Sequence, residues 1–431
     1  MNYNLNHLVE IISSTPTNYD HSVGFHDIRP FNKLNNDLVL LHRYPLKNLG
    51  FKKKDNTSIE ICLWNISENI VEKIDETNAW SWEQGSRLQW LTDKDLIYNK
   101  SVNGKLISCV YDIKDKTKRN LDHTVYSVNK NKHFLHINFT RLWKLWKSYG
   151  YFSTKDSEIY NKRPSDDGIF LCDLNNNKKL LLSIKDAVMI CKLDSLQKDF
   201  FLCHPTFSPS GKKFVSMLRF FNDSGVLISY FICTDIENNI SRVLAREKAS
   251  HFEWINDEKL VVWSRNLNSN LTKLRFNNFI EKFLISNIKK ILNLTTTNFK
   301  SKILSTNYHL IDLQKPEIST KLDENLLKED GHPQLSPNER YLITDTYANK
   351  KKYQKLLLYD LYKKEIYTLG EFKLDDYLIN SDLKYDLHPR WDNTGNLICV
   401  DSSHQGSRQT YILNIEKLLK KSNLYGYAVF G

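Results

Sequence analysis

Short apolar runs recur along the whole chain, separated by polar turns, and they resolve into two repeated elements. The first is a bulky residue, a few turn-forming residues, then an apolar run. It opens at Phe31 (FNKLNNDLVLLHR), Trp90 (WLTDKDLIYN), Tyr126 (YSVNKNKHFLHI), Phe207 (FSPSGKKFVSML), Trp254 (WINDEKLVVWSR), Leu335 (LSPNERYLITDT) and Trp391 (WDNTGNLICVDS). The second is an apolar strand closing on Asp or Asn before Ile or Leu, ending at Ile66, Ile113, Leu174, Ile236, Leu313, Leu361 and Ile415. Each element occurs seven times, and the two alternate. Runs this short, bounded by Gly, Pro, Asn and Ser, read as strands. Strand, turn, strand, longer loop, strand, turn, strand is one four-stranded antiparallel blade. The pattern therefore predicts an all-β chain, a seven-bladed β-propeller whose radial repetition leaves only short, protected edges. A sandwich followed by a second domain would not produce two interleaved sevenfold counts.

The expected domain is one propeller over residues 1–431, with insertions at about 140–164 and 266–305 where the blade spacing lengthens. The second insertion contains FIEKFLISNIKKILNL, whose apolar spacing suits a short amphipathic helix. The segment around Leu8–Ile12 is the candidate to complete the last blade.

In a propeller the first strand of each blade lines the channel, so residues just ahead of it crowd one mouth. Three positions before each opening bulky residue stand Arg87, His123, His204, His251, His332 and His388. Blade one departs, with His26 and Asp27 in FHDIRPF nearby but out of register. Two readings compete. A histidine at a strand start can simply satisfy the neighbouring blade's backbone. A ring of imidazoles also suits metal ligation or proton transfer. The best metal set is His332 and His388 from neighbouring blades with Asp386, two before His388 and on the same face of an extended strand. His251 or His404 would be a fourth.

Arg87, Arg390, Arg29 and Arg408 can supply guanidinium forks for carboxylates; Arg390 and Arg29 equally suit blade-to-blade ion pairs. In the first insertion Trp143, Trp146, Tyr149 and Tyr151 stand among basic residues, either to stack on sugar faces or to pack as a hydrophobic lid.

Composition narrows the class. Apolar content of 41% supports a packed core, and a net charge of +11 favours an anionic partner unless it reflects only a Lys-rich composition. No apolar stretch approaches the ~20 residues of a membrane span, and the start lacks a basic, then apolar, secretory leader. The seven cysteines form no CxxC pair and five sit inside apolar runs, which points to reduced core residues in a cytoplasmic setting.

The segments GHPQLSPNERYLITDTY, DLHPRWDNTGNLICVDSSHQGSRQTYI and HPTFSPSGKKFVSML, with GFHDIRPF and QGSRLQW, resemble the oligogalacturonate-lyase-like branch of seven-bladed propellers, distantly similar to the TolB type. The resemblance runs from about Gly24 to Ile415. It implies a manganese or similar divalent ion held at the channel mouth by histidines and a glutamine. The metal histidines fall on His332 and His388, the second His of the family's H-x-H pair falls at Asp386, and the glutamine has no clear match here. It further implies β-elimination on an acidic, uronate-containing oligosaccharide or polysaccharide. The ion and an arginine, with Arg87 the candidate, would neutralise the carboxylate; His204 or His251 would take the C5 proton; a tyrosine such as Tyr151 or a histidine would protonate the leaving oxygen. His26, Arg390, Arg408, Trp143 and Trp146 would hold the sugar. Relatives without a leader resemble proteins encoded among surface-polysaccharide assembly genes, where a non-catalytic glycan- or protein-binding scaffold is the alternative. A nucleic-acid platform on the basic face ranks third.

Overall fold

The computed structural model describes residues 2–44, 57–153, 161–265, 306–315, 319–323, 326–374 and 385–424. They form seven antiparallel sheets arranged as propeller blades. Both repeated elements land where the sequence pattern puts them. Gln89–Trp90, Phe201–Phe207, Gln334–Leu335 and Arg390–Trp391 are innermost strands, and Lys105–Asp112, Leu227–Asp235, Tyr353–Asp360 and Gln409–Asn414 are third strands. Blade two is the most regular, its three strand pairings running without a register slip, and in blade four Lys213–Phe221 pairs with Leu227–Asp235 the same way.

Each blade is covered on both faces by its neighbours, which is why its strands are nearly continuous apolar runs rather than alternating ones. The core is accordingly a ring of blade-to-blade interfaces. Val23, Val39, Leu41 and Trp64 of blade one meet Cys399 and Ile412 of blade seven. On its other side Leu40 and Ile61 meet Trp90, Leu96 and Tyr98 of blade two. The first turn of blade four needs a left-handed residue, supplied by Gly211 at φ 80°, and blade seven uses Gly395 at φ 74°. Blade six places Glu339 there at φ 58°.

The amino-terminal segment closes the ring. Glu10–Ser14 is the outermost strand of blade seven, matching the expectation for Leu8–Ile12, and Tyr3–Leu5 adds a fifth strand to blade six. A chain end is thus paired to strands more than 350 residues away in sequence, Tyr3 opposite Phe372 and Glu10 opposite Asn414. Among the described residues three short helices, Phe139–Leu145, Ile184–Ile190 and Glu416–Leu424, decorate the sheets; the strand-based reading anticipated none of them. The helix expected within 266–305 lies outside the described residues.

Deleting residues 2–14 is expected to lower the melting temperature by at least ~10 °C, because two sheet edges open at once; a truncated protein melting with the full-length chain would show that closure lies elsewhere. A second expectation concerns acid. His21, His42, His136, His309 and His404 lie outside the central histidine cluster, and their pKa values fall to about 4, 3, 3, 4 and 4, chiefly because burial penalises the charged ring. In the unfolded chain they titrate near the ordinary ~6.5. The unfolded state then binds more protons than the folded one between about pH 6.5 and about pH 4, so stability drops as pH falls through that window. Denaturant melts across it check this, and a flat profile would contradict it.

Candidate functional site

Blade one explains its own break in register. Asp20–Ser22 pairs with Leu38–Tyr44, and pairing resumes only at Phe31 opposite Val39. Residues 23–30 between them leave the sheet and are gripped by distant blades. His388 Nδ1 and Arg390 both donate to the Gly24 carbonyl, the former at 3.1 Å. Arg390 also reaches the Phe25 carbonyl at 3.3 Å, and Gln334 reaches that of His26 at 3.4 Å. Arg87 holds Asp27 through both nitrogens at 2.8 Å, and Arg29 pairs with Glu253 at 3.2 Å. Contacts from blades two, five, six and seven to one loop mean that it crosses the channel as a plug. Gly24 is required there: its φ is 115°, and an added Cβ would lie 3.2 Å from the Gln84 carbonyl.

The plug carries His26 into the middle of the histidines. Its ring centroid lies 5.3 Å from His251, 5.1 Å from His332 and 6.0 Å from His388. His332 stands 4.2 Å from both His251 and His388. His204 lies to one side, stacked on Phe25 at 5.1 Å. Arg87, His204 and His388 all adopt left-handed φ of 58°, 53° and 45°. Non-glycine residues rarely tolerate that conformation, and such strain persists where the surroundings over-determine it. At His204 it coincides with a register shift between Cys203 and Thr206, a bulge that re-aims the side chain. His123 does not join the cluster. Its ring packs 5.5 Å from His136 and feels Lys178 and Lys105 on outer strands.

One carboxylate sets the geometry. Asp345, buried to 1% exposure, ends the second strand of blade six. Its Oδ1 accepts from the His332 amide at 2.8 Å and from His332 Nδ1 at 2.8 Å; its Oδ2 accepts from the His388 amide at 3.0 Å. Burial works against a charged His332, but Asp345, then Asp386 and Asp330, outweigh it and raise its pKa to about 9. Burial first, and the neighbouring His332 next, push His26, His251 and His388 down. The cluster accommodates one positive charge.

Ligand atoms of His332, Asp386 and His388 lie within 4.8 Å of one another, the same three residues picked from the sequence. The donor set fits a divalent ion. Each histidine has its Nδ1 turned to an oxygen acceptor, Asp345 or the Gly24 carbonyl, which leaves Nε2 to face an ion, in His332 once an ion displaces its second proton. Asp386 is oriented by Gln354 Nε2 at 2.9 Å. Two imidazoles and one carboxylate suit manganese, zinc or iron more than calcium.

Beside this triad a cavity of about 200 Å³ is lined by Phe25, His26, Trp146, Tyr149, His204, Arg219, His251, Asp330 and Tyr347, among others. His251 Nδ1 faces Asp330 at 3.0 Å. His204 has both nitrogens engaged: Arg219, always a donor, binds Nε2 at 3.0 Å, so Nδ1 carries the proton and faces the Tyr126 hydroxyl at 2.7 Å. Trp146 stacks on Tyr149 at 3.7 Å. Other candidate residues are placed differently. Arg87 is filled by Asp27, and Arg390 by the plug carbonyls and Asp401 at 3.4 Å. Tyr151 stacks on Phe139 at 4.2 Å and donates to the Gly85 carbonyl at 3.0 Å. Trp143 packs on Phe152 at 5.2 Å, so the insertion divides between a lid and a pocket wall. Arg408 lies over the Tyr385 ring at 4.1 Å and the Tyr44 ring at 5.6 Å.

Arg219, Asp330 and Asp345 were not singled out in the sequence, yet two of them carried a signal. Asp330-Gly331-His332 repeats the spacing of Asp386-Leu387-His388, and Asp345 follows His332 at the distance at which Asp401 follows His388.

No family model and no curated protein matches the chain. Among solved structures, oligogalacturonate lyase in complex with manganese matches with a TM-score of 0.60 at 11% identity, over 96% of this chain and 94% of that one. Oligogalacturonate lyase from Vibrio parahaemolyticus matches at 0.58 and 9% identity, over 94% and 93%. The fold is that of the oligogalacturonate lyases. At such low identity the oligogalacturonate-lyase fold is what is shared, and the chemistry must be argued from the site.

Asp345→Ala would leave two amides and a charged imidazole without their acceptor, at an expected cost of ~3–5 kcal/mol. Urea unfolding measures it; a loss below ~1 kcal/mol would mean that the clamp carries little.

Proposed function

We propose that this protein cleaves an acidic, uronate-containing oligosaccharide by metal-assisted β-elimination. The observation that carries this reading is the His332–Asp386–His388 triad, within 4.8 Å, whose His332 stands 4.2 Å from His251 on the wall of a cavity that also holds an arginine. His332, His388 and Asp386 would hold one divalent ion, which as a Lewis acid would draw charge from the substrate carboxylate. Arg219 takes the role first considered for Arg87: it lines the cavity, and His204 and Ser229, at 3.0 and 2.8 Å, fix its orientation. A guanidinium there stabilises the enolate-like charge that develops on the carboxylate as C5 loses its proton.

His251 is the base in this reading. Burial keeps it neutral, Asp330 fixes Nδ1, and Nε2 is the remaining acceptor. His204 cannot serve, because both its nitrogens are occupied. The C5 proton passes to His251, the C4–C5 double bond forms, and the C4–O bond breaks. Tyr149, on the cavity wall with Trp146, donates a proton to the departing oxygen and offers the sugar an aromatic face. Tyr151 is turned away, towards Gly85. The seven free, buried cysteines support action on oligosaccharide inside a reducing compartment such as the cytoplasm.

The test is incubation of manganese-loaded protein with oligogalacturonates and oligoglucuronates, following the ultraviolet absorbance of the unsaturated product. His251→Gln and Arg219→Gln are each expected to slow elimination by about 10²-fold or more. Uronate binding without elimination would replace the lyase with a glycan-binding scaffold, and neither binding nor elimination would remove the reading altogether.

A further inference from the structure

The triad supplies three protein donors, one short of the four that a tetrahedral ion takes and further short of six. The imidazoles around it are not equally available. His251 has Nδ1 on Asp330, and His204 has both nitrogens bound. His26 differs from both. It is 4% exposed, yet its ring makes no hydrogen bond to any described residue. Neither of its nitrogens is among the buried atoms without a partner, so both remain accessible from the cavity that His26 lines, and the ring sits among three other histidines.

The plug does not need that ring for its own anchorage. Gly24, Phe25 and His26 are gripped through their carbonyls, and Asp27 and Arg29 through their side chains. We infer that His26 is a fourth protein ligand of the divalent ion, a donor brought by blade one to a site otherwise built from blades six and seven. This rests on the metal centre proposed above. Two imidazoles that share an ion at ~2.1 Å hold their ring centroids about 4–6.4 Å apart, depending on the angle between them, a range that also takes in the 4.2 Å of His332 and His388. His26 stands 5.1 Å from His332 and 6.0 Å from His388, inside that range. Its nitrogens are outside the 4.8 Å grouping of the triad, so the inference requires the ring to turn about its side-chain bonds when the ion binds. The inference has a mechanical corollary. An ion bound by His26, His332 and His388 ties the plug to the far side of the ring, so metal loading stabilises the fold as well as completing a site.

The experiment is calorimetric titration of chelator-stripped protein with Mn²⁺, and separately with Zn²⁺, paired with melting curves in the presence and absence of the ion. Wild type, His26→Ala, His26→Gln and His388→Ala are compared. His26→Ala is expected to bind Mn²⁺ at least about tenfold more weakly and to lose most of the metal-dependent rise in melting temperature. His26→Gln, which keeps an oxygen donor, should recover part of both, and His388→Ala should bind no stoichiometric ion. Should His26→Ala fail to fold, His26→Gln alone decides, again by weaker binding. Mn²⁺ and Zn²⁺ affinities for the His26 variants within about twofold of wild type would overturn the inference and leave the triad standing. A wild-type protein that takes neither ion would overturn the metal centre, and this ligand with it.

Discussion

A propeller can bring side chains from distant parts of a chain to one axis, but it does not by itself fix their rotamers or their distances. That constraint is met here by a single carboxylate. Asp345 is fully buried and divides its oxygens between neighbouring blades, taking the amide and ring of His332 on one and the amide of His388 on the other. The His388 backbone is held left-handed at φ 45° against its steric preference, and its amide reaches Asp345. Without this buried acceptor the His332 ring would lose its orientation and the His388 backbone its anchor, while the His388 ring itself is held by the Gly24 carbonyl.

The plug plays the complementary part. By leaving its sheet between Ser22 and Phe31, blade one trades strand pairing for hydrogen bonds to four other blades. It seats Phe25 against His204 and His26 against His332, so the cavity has a floor. Ring closure by Glu10–Ser14 on blade seven ties that arrangement to the amino-terminal strand, since Arg390 and Asp401, which grip the plug, belong to the blade so closed. Stability and site geometry are therefore coupled.

The blades were legible because the repeat is written twice, once in the opening bulky residue and once in the third strand, and each copy corrects the other. The triad was legible for a related reason: His332 and His388 occupy repeat-equivalent slots, and alternation along an extended strand puts Asp386 beside His388. What was not legible depended on non-repeating contacts. Arg87 shares the slot of the histidines but meets Asp27 from a plug with no counterpart in other blades. His204 carries the same slot into a bulge, where Arg219 and Tyr126 occupy its nitrogens. The helix Phe139–Leu145 places Trp146 and Tyr149 on the cavity and Trp143 and Tyr151 away from it, a division that spacing alone does not encode. Function was the least legible, because 9–11% identity to oligogalacturonate lyases preserves a scaffold far better than a reaction.

The central claim is that two adjacent blades present one divalent-ion centre at the axis. Equilibrium dialysis of chelator-stripped protein against manganese, with elemental analysis of the retained ion, tests it most directly. The account predicts one ion per chain in the wild type and none retained once His332, Asp386 or His388 is replaced by alanine. Retention unaffected by those replacements, or no stoichiometric ion in the unaltered protein, would contradict it.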